Sequence, residues 1–390
     1  MKMLKLFVRT CICMVALMPG VRTMAQTVGT GTNVNGSTSN TITTAVPFLA
    51  ISPDAHSGAM GEAGVALAPT VNDNFWNPSK LVFLDDPTNF SLSYSPWLRN
   101  LIPDINLAYL SFAQKTDART TIGASLRYFN LGKIELVDAN QNQQGTFEPN
   151  EFSIDASVAR KFGDNFSLGL SARYIYSNLT NGIAVSSQPT RSASAVAADV
   201  SLYYKNPTQQ FGKDALFAFG VDISNIGTKM SYSDNGQKYF LPTNLKIGAA
   251  NTYFLDAEDQ LTITLDLNKL LVPTPPIRDA NGNIISGRDD NRSVVSGIFG
   301  SFTDAPGGFS EELKEITLSP GIEYMYSKLF ALRAGYFYEN PDKGGRQYTT
   351  VGAGINYDGV ALDFSYIIAS QQNSPLANTL RLSLGYNFGK

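Results

Sequence analysis

Fourteen short stretches of this chain alternate apolar with polar residues. Val360, Leu362, Phe364 and Tyr366 interleave with Ala361, Asp363 and Ser365. Leu380, Leu382, Leu384, Tyr386 and Phe388 interleave with Arg381, Ser383, Gly385 and Asn387. A period of two is the period of a strand. One face of each strand suits oil and the other suits water. Lipid offers no partner for backbone groups, so strands cross it only as a closed barrel. The repeated pattern therefore predicts an all-β fold, a transmembrane antiparallel up-and-down barrel of 14 strands. The competing fold is a large soluble sandwich, or a pair of them.

The expected strands are 89–96, 105–115, 119–131, 151–161, 165–177, 194–205, 214–225, 243–254, 260–268, 315–327, 329–339, 347–357, 359–369 and 378–389. Their outward positions are almost all Leu, Ile, Val, Phe, Tyr or Ala. Aromatics including Trp97, Phe112, Phe129, Tyr204, Tyr253, Phe330 and Phe388 gather at strand ends, where an interfacial girdle belongs. Connections after even strands are short (116–118, 163–164, 206–213, 256–259, 328 and 358). Those after odd strands are mostly long (97–104, 132–150, 178–193, 226–242, 269–314, 340–346 and 370–377). Bacterial barrels place short turns in the periplasm and long loops outside, so this alternation orients the chain.

The beginning of the chain agrees with that compartment. Lys2, Lys5 and Arg9 precede an apolar core from Cys11 to Met18, and Thr23-Met24-Ala25 approximates a cleavage site. Residues 1–25 are therefore expected to be a secretory signal. Cys11 and Cys13 are the only cysteines, so a chain lacking this segment has no disulfide, thiol nucleophile or sulfur ligand. Loss of Lys2, Lys5, Arg9 and Arg22 leaves 26 basic residues against 33 acidic ones, a net charge of −7. That balance argues against a nucleic-acid partner. Residues 26–44, rich in Gly, Ser, Thr and Asn, read as a flexible tail.

Residues 45–88 lie between tail and barrel and are the expected plug. They contain Asp54, His56, Gly58, Met60, Gly61 and Gly64, then Phe75-Trp76-Asn77-Pro78-Ser79. The small residues allow close backbone packing, and Asn77-Pro78 suggests a fixed turn. This segment resembles the N-terminal hatch of FadL-like outer-membrane transporters, where a small-residue stretch precedes an Asn-Pro-Ala motif and plugs a 14-stranded barrel. A fuller resemblance runs over nearly the whole chain after the signal, to the PorV (LptO) family of the type IX secretion system of Bacteroidetes. It rests on the block from Phe48 to Gly64, on Phe75-Trp-Asn-Pro-Ser-Lys-Leu and on Leu241-Pro-Thr-Asn-Leu-Lys-Ile-Gly. The resemblance implies an outer-membrane carrier with three kinds of protein partner. These are a translocon barrel of the SprA/Sov kind, secreted cargo recognised by its C-terminal signal domain, and a surface attachment complex containing a sortase-like PorU. It also implies contact with outer-membrane lipid or LPS.

Chemistry is sparse. His56 is the sole histidine. A Ser-His-acid hydrolase using Ser52 or Ser57 with Asp54 is formally available, but the spacing matches no nucleophile motif. No catalytic residue, metal site or cofactor is therefore expected. Asp279, Asn281, Gly282 and Asn283 lack the EF-hand spacing. Within the long loop 269–314, Leu270, Leu271 and Val272 lead into the stiff run Pro273-Thr-Pro-Pro. Val294, Val295, Ile298, Phe299 and Phe302 would share one face of a short helix that Gly297 and Gly300 weaken. Leu271, Val272 and these five residues are the expected docking surface for translocon or cargo. Three functions remain open: a secretion carrier, a transporter of small hydrophobic molecules, and a lipid A deacylase using His56.

Overall fold

The computed structural model describes residues 40–389 apart from 99–101, 103, 138–142, 181–189, 234–235, 371–373 and 375. The expected signal, and the expected tail as far as residue 39, lie outside these residues. All fourteen expected strands form. They are β1 (Thr88–Pro96), β2 (Ile105–Lys115), β3 (Thr120–Leu131), β6 (Asn150–Lys161), β7 (Phe166–Asn178), β8 (Ala193–Gln210), β9 (Lys213–Gly227), β10 (Asn244–Phe254) and β11 (Gln260–Leu270). The remaining wall strands are β14 (Ile316–Tyr326), β15 (Phe330–Tyr338), β16 (Gln347–Tyr357), β17 (Val360–Ala369) and β18 (Leu380–Phe388). Each pairs antiparallel with its neighbours, and β1 closes the barrel against β18 with Thr88 opposite Phe388. Closure leaves no free edge, which a lipid environment demands.

Burial alternates along the strands: in β1, Asn89, Ser91, Ser93 and Ser95 are buried between exposed Phe90, Leu92 and Tyr94. Leu92, Ile154, Leu170, Leu332 and Leu384 stand exposed on the outside, while Ser93, Ser153, Asp155, Arg173 and Ser383 are buried within. Among the described residues no helix is long and apolar enough to cross a membrane; the strands do so. Trp97 and Phe129 depart from the expected girdle. Both are buried with Phe48 and Leu49, because their register points them into the lumen.

Two short hairpins were not expected in the long connections: β4 (Ile134–Val137) with β5 (Gln143–Phe147), and β12 (Ile277–Arg278) with β13 (Ile284–Ser286). Asp279 serves the second, accepting from the backbone of Asn281 and Asn283. The expected connection 206–213 is instead mostly strand. Gln210 pairs with Lys213, and only Phe211 and Gly212, both at positive φ, make the turn. Its polar composition conceals strand pairing that continues beyond the apolar band.

Residues 45–84 touch strands around the whole wall. Helical turns at Ala55–Ala59 and Pro78–Phe83 contact β15 to β18 and β3 to β8 respectively. A segment meeting every side of a closed barrel lies inside it. The expected tail is also ordered from residue 40. Ala45 N donates to Phe240 O at 2.8 Å in a long connection, whereas β1 begins among the short turns. The inner segment thus runs the length of the lumen and is not confined to its periplasmic end. Thr41→Cys, in a chain lacking residues 1–25, should react with a membrane-impermeant maleimide on intact cells, and Asp164→Cys should not. The reverse labelling would invert the orientation.

Candidate functional site

A backbone buried inside a barrel must find its hydrogen-bond partners there. Short polar side chains on the inward faces provide them. Asp266 on β11 accepts from Gly64 N at 2.7 Å and Val65 N at 2.9 Å. Thr350 on β16 accepts from Gly61 N and donates to Ala59 O. Ser383 accepts from Ala55 N, Ser201 accepts from Ser79 N, and Ser167 donates to Ser79 O. Arg127 donates to Leu49 O at 2.9 Å, with its guanidinium over the Phe75 ring.

The expected plug residues come together in this interior. Asp54 caps the Ala55–Ala59 turn by accepting from Ser57 N, and it accepts from Trp76 Nε1 at 2.6 Å. Asn77 donates to Val65 O and to Leu202 O of β8, while its carbonyl oxygen accepts from Ser79. Pro78 opens the following 3₁₀ turn, where its missing N–H costs nothing. Met60 is wholly buried. A side chain at Gly64 would overlap the Trp76 ring, and one at Gly58 would meet Arg381. Gly61, at φ +74°, would bring a Cβ to 2.6 Å from the Tyr336 backbone. That contact marks a break in the wall. β14 and β15 pair at Leu318–Tyr338 and again at Gly321–Gly335, but not between. Pro320 has no N–H to offer there.

His56 Nε2 lies 3.2 Å from Glu323 Oε2, a close polar contact without aligned hydrogen-bond geometry. Glu323 also holds Arg333. His56 therefore engages the wall rather than Ser52 or Ser57, and Asp54 is occupied by Trp76. Sequence reading missed the larger inward ionic cluster, in which Arg173 bonds Asp155, Asp199 and Asn225. Each member appears only as one polar residue in an alternating strand. Near the long-loop end a cavity of about 320 Å3 remains, bounded by Leu49, Trp76, Arg173, Lys246, Glu339 and Arg346 among others.

The loop residues divide. Leu271 and Val272 are buried, and Leu271 N donates to Thr243 O. They continue the wall and offer no docking surface, a correction that burial imposes. The helix Val294–Gly300 forms with Ser293 accepting from Ser296 N at its start. Gly297 rests against the Phe240 ring, so the glycine that weakens the helix also seats it. Val294 and Ile298 are half-buried. Val295, Phe299 and Phe302 point outward at 65%, 76% and 44% exposure, as do Phe309 and Leu313 on the next turn. Ion pairs fix the loop beneath: Lys269 with Glu312 and Glu315, and Lys343 with Glu311 and Glu315. Burial works to raise Glu311, but the bond from Lys343 prevails and holds its carboxyl below the usual range.

The profile of a family described as type IX secretion system protein PorV matches residues 34–277. Among solved structures, the toluene transporter TodX of P. putida is similar at 11% identity, covering 86% of this chain and 99% of that one with a TM-score of 0.51. The toluene transporter TbuX of Ralstonia pickettii is similar at 11% identity, with 86% and 98% covered and a TM-score of 0.48. A FadL homologue of Pseudomonas aeruginosa gives 11%, 90%, 100% and 0.43. The likeness to TodX supports the fold alone. No curated protein sequence matches the chain.

Asn77→Ala would remove the amide that bonds Val65 O and Leu202 O and should cost about 1–3 kcal/mol. The temperature at which the detergent-solubilised barrel loses its compact electrophoretic mobility should fall. An unchanged temperature would separate the inner segment from barrel stability.

Proposed function

The chain belongs to the PorV family of type IX secretion system proteins, and on that premise we propose that it is a carrier for secreted proteins. It is an outer-membrane component of that system. In this reading it binds cargo through the cargo's C-terminal signal domain at the translocon barrel. It then delivers the cargo to the surface attachment complex with its sortase-like enzyme. Residues 45–84 act as a hatch that keeps the lumen shut throughout, and no chemistry is performed.

One observation carries this reading beyond family membership. The lumen is occupied by a segment whose backbone is bonded to the wall on many sides, and its residual cavity is bordered by Arg173, Lys246, Glu339 and Arg346. A cavity of that size admits no folded chain in transit, and Leu49, Phe75, Trp76 and Phe337 line it beside those charges. Binding is therefore assigned to the outer loops, which a rigid barrel positions well. Val295, Phe299 and Phe302, with Phe309 and Leu313 beside them in sequence, supply exposed apolar area on a loop anchored by ion pairs. Aromatic residues so displayed serve as anchors at interfaces.

The second reading, transport of small hydrophobic molecules with a lateral exit, is favoured by the interrupted β14–β15 pairing at Pro320. A hydrophobic ligand bound in the lumen and reaching that break would support it over the carrier.

Deleting the gene should trap proteins bearing the C-terminal signal in the periplasm while other barrels still assemble. Normal surface attachment of those proteins would sink the carrier reading. Val295→Asp combined with Phe299→Asp should weaken co-purification of translocon or cargo while leaving barrel stability unchanged, since both side chains are exposed. Undiminished co-purification would remove the loop from the interface.

A further inference from the structure

Residues 40–46 cross the outer mouth as a strap, and their bonds join parts of the molecule far apart in sequence. Asn40 N donates to Asp342 O at 3.0 Å. The Asn40 side-chain amide donates to Pro275 O at 3.1 Å and to Glu311 Oε1 at 3.0 Å. One residue thus holds both the long loop 271–315 and the connection 339–346. Thr41, Ile42 and Thr44 roof the lumen cavity. Ala45 N is tied to Phe240 O, and three residues further on Phe48 O and Leu49 O accept from Arg127. The strap is therefore continuous with the part of the inner segment that the wall grips.

The joint between these attachments is strained. Val46 sits at φ 45°, ψ 55°. That left-handed region is unfavourable for a β-branched residue, and the following Pro47 disfavours helical backbone at Val46 further. Such a conformation persists only while its surroundings enforce it. Val46 itself is buried beside Phe48 and Leu49 and its carbonyl accepts from Leu49 N. On the strap side the holding contacts are those of Asn40 and Ala45, and two of Asn40's three acceptors belong to the long loop.

We propose that the strap is a latch coupling the outer loop to the inner segment. When loop 271–315 moves, Asn40 loses Pro275 O and Glu311, Val46 relaxes from the left-handed region, and the roof of the cavity lifts towards the outside. The latch stands independently of the carrier reading, since it requires only that the loop move, whatever moves it.

Hydrogen–deuterium exchange of the full chain in mild detergent tests this. Asn40→Ala should speed exchange roughly fivefold in both 271–277 and 45–51, because lost hydrogen bonds raise the open population of a coupled unit. Val46→Gly and Val46→Ala both remove a buried side chain, but only glycine occupies the left-handed region without strain, so Val46→Gly should exchange more slowly than Val46→Ala in both stretches. Faster exchange confined to 271–277 in Asn40→Ala would overturn the coupling. Exchange in Val46→Gly as fast as in Val46→Ala, or faster, would overturn the strained hinge. Retained compact mobility on electrophoresis verifies that each variant is folded.

Discussion

A chain segment enclosed by a barrel can send its backbone hydrogen bonds only to itself and to the wall. Leaving even a few buried amides unpaired would outweigh much of what the segment gains by packing. The lumen of this protein answers with side chains of one to three heavy atoms beyond Cβ. Asp266, Thr350, Ser201, Ser167 and Ser383 meet the backbone of Ala55, Gly61, Gly64, Val65 and Ser79. Glycines on the wall set the distance. A Cβ at Gly220 would overlap Val65 O, and one at Gly335 would overlap Gly61 N. Polar pairing and close approach together make the inner segment part of the barrel.

Barrel size and function follow from that. Fourteen strands enclose more space than their own side chains fill, so a barrel of this width conducts or is filled. Filling it with hydrogen-bonded backbone and buried ion pairs, such as Arg173 with Asp155 and Asp199, leaves a cavity of about 320 Å3. In the proposed carrier reading, recognition falls to the outer rim. There the loop after β11 is fixed by Lys269 and Lys343 and presents Val295, Phe299 and Phe302. The fold it shares with hydrocarbon transporters is thus compatible with a different task, because function resides in sites carried by a fold.

Much of the wall was legible in the sequence because period two is a local signal. The alternation at 360–366 and 380–388 gives face, register and side at once. Ser167, Ser201 and Ser383 were legible as inward positions, but their role as partners of a distant backbone is set by tertiary placement. The order of Asn40 to Thr44 was hidden for a related reason. Backbone bonds to Asp342 and Phe240 leave no mark on composition, so a stretch rich in Thr and Asn read as tail. Leu271 and Val272 looked like loop residues for a partner because nothing local reveals that β11 pairing and the loop above enclose them. Within the helix Val294–Gly300, Gly297 weakened the expectation of a helix, whereas its missing side chain is what admits the Phe240 ring.

The central claim is that the lumen is closed by its own chain, as the proposed carrier role requires. Reconstitution of the purified protein into a planar lipid bilayer measures this directly. A closed barrel should insert with no steady ionic current across a range of voltages. A stable, ohmic conductance from the unmodified protein, of the size an unfilled 14-stranded barrel allows, would contradict the claim and return the lumen to a transport role.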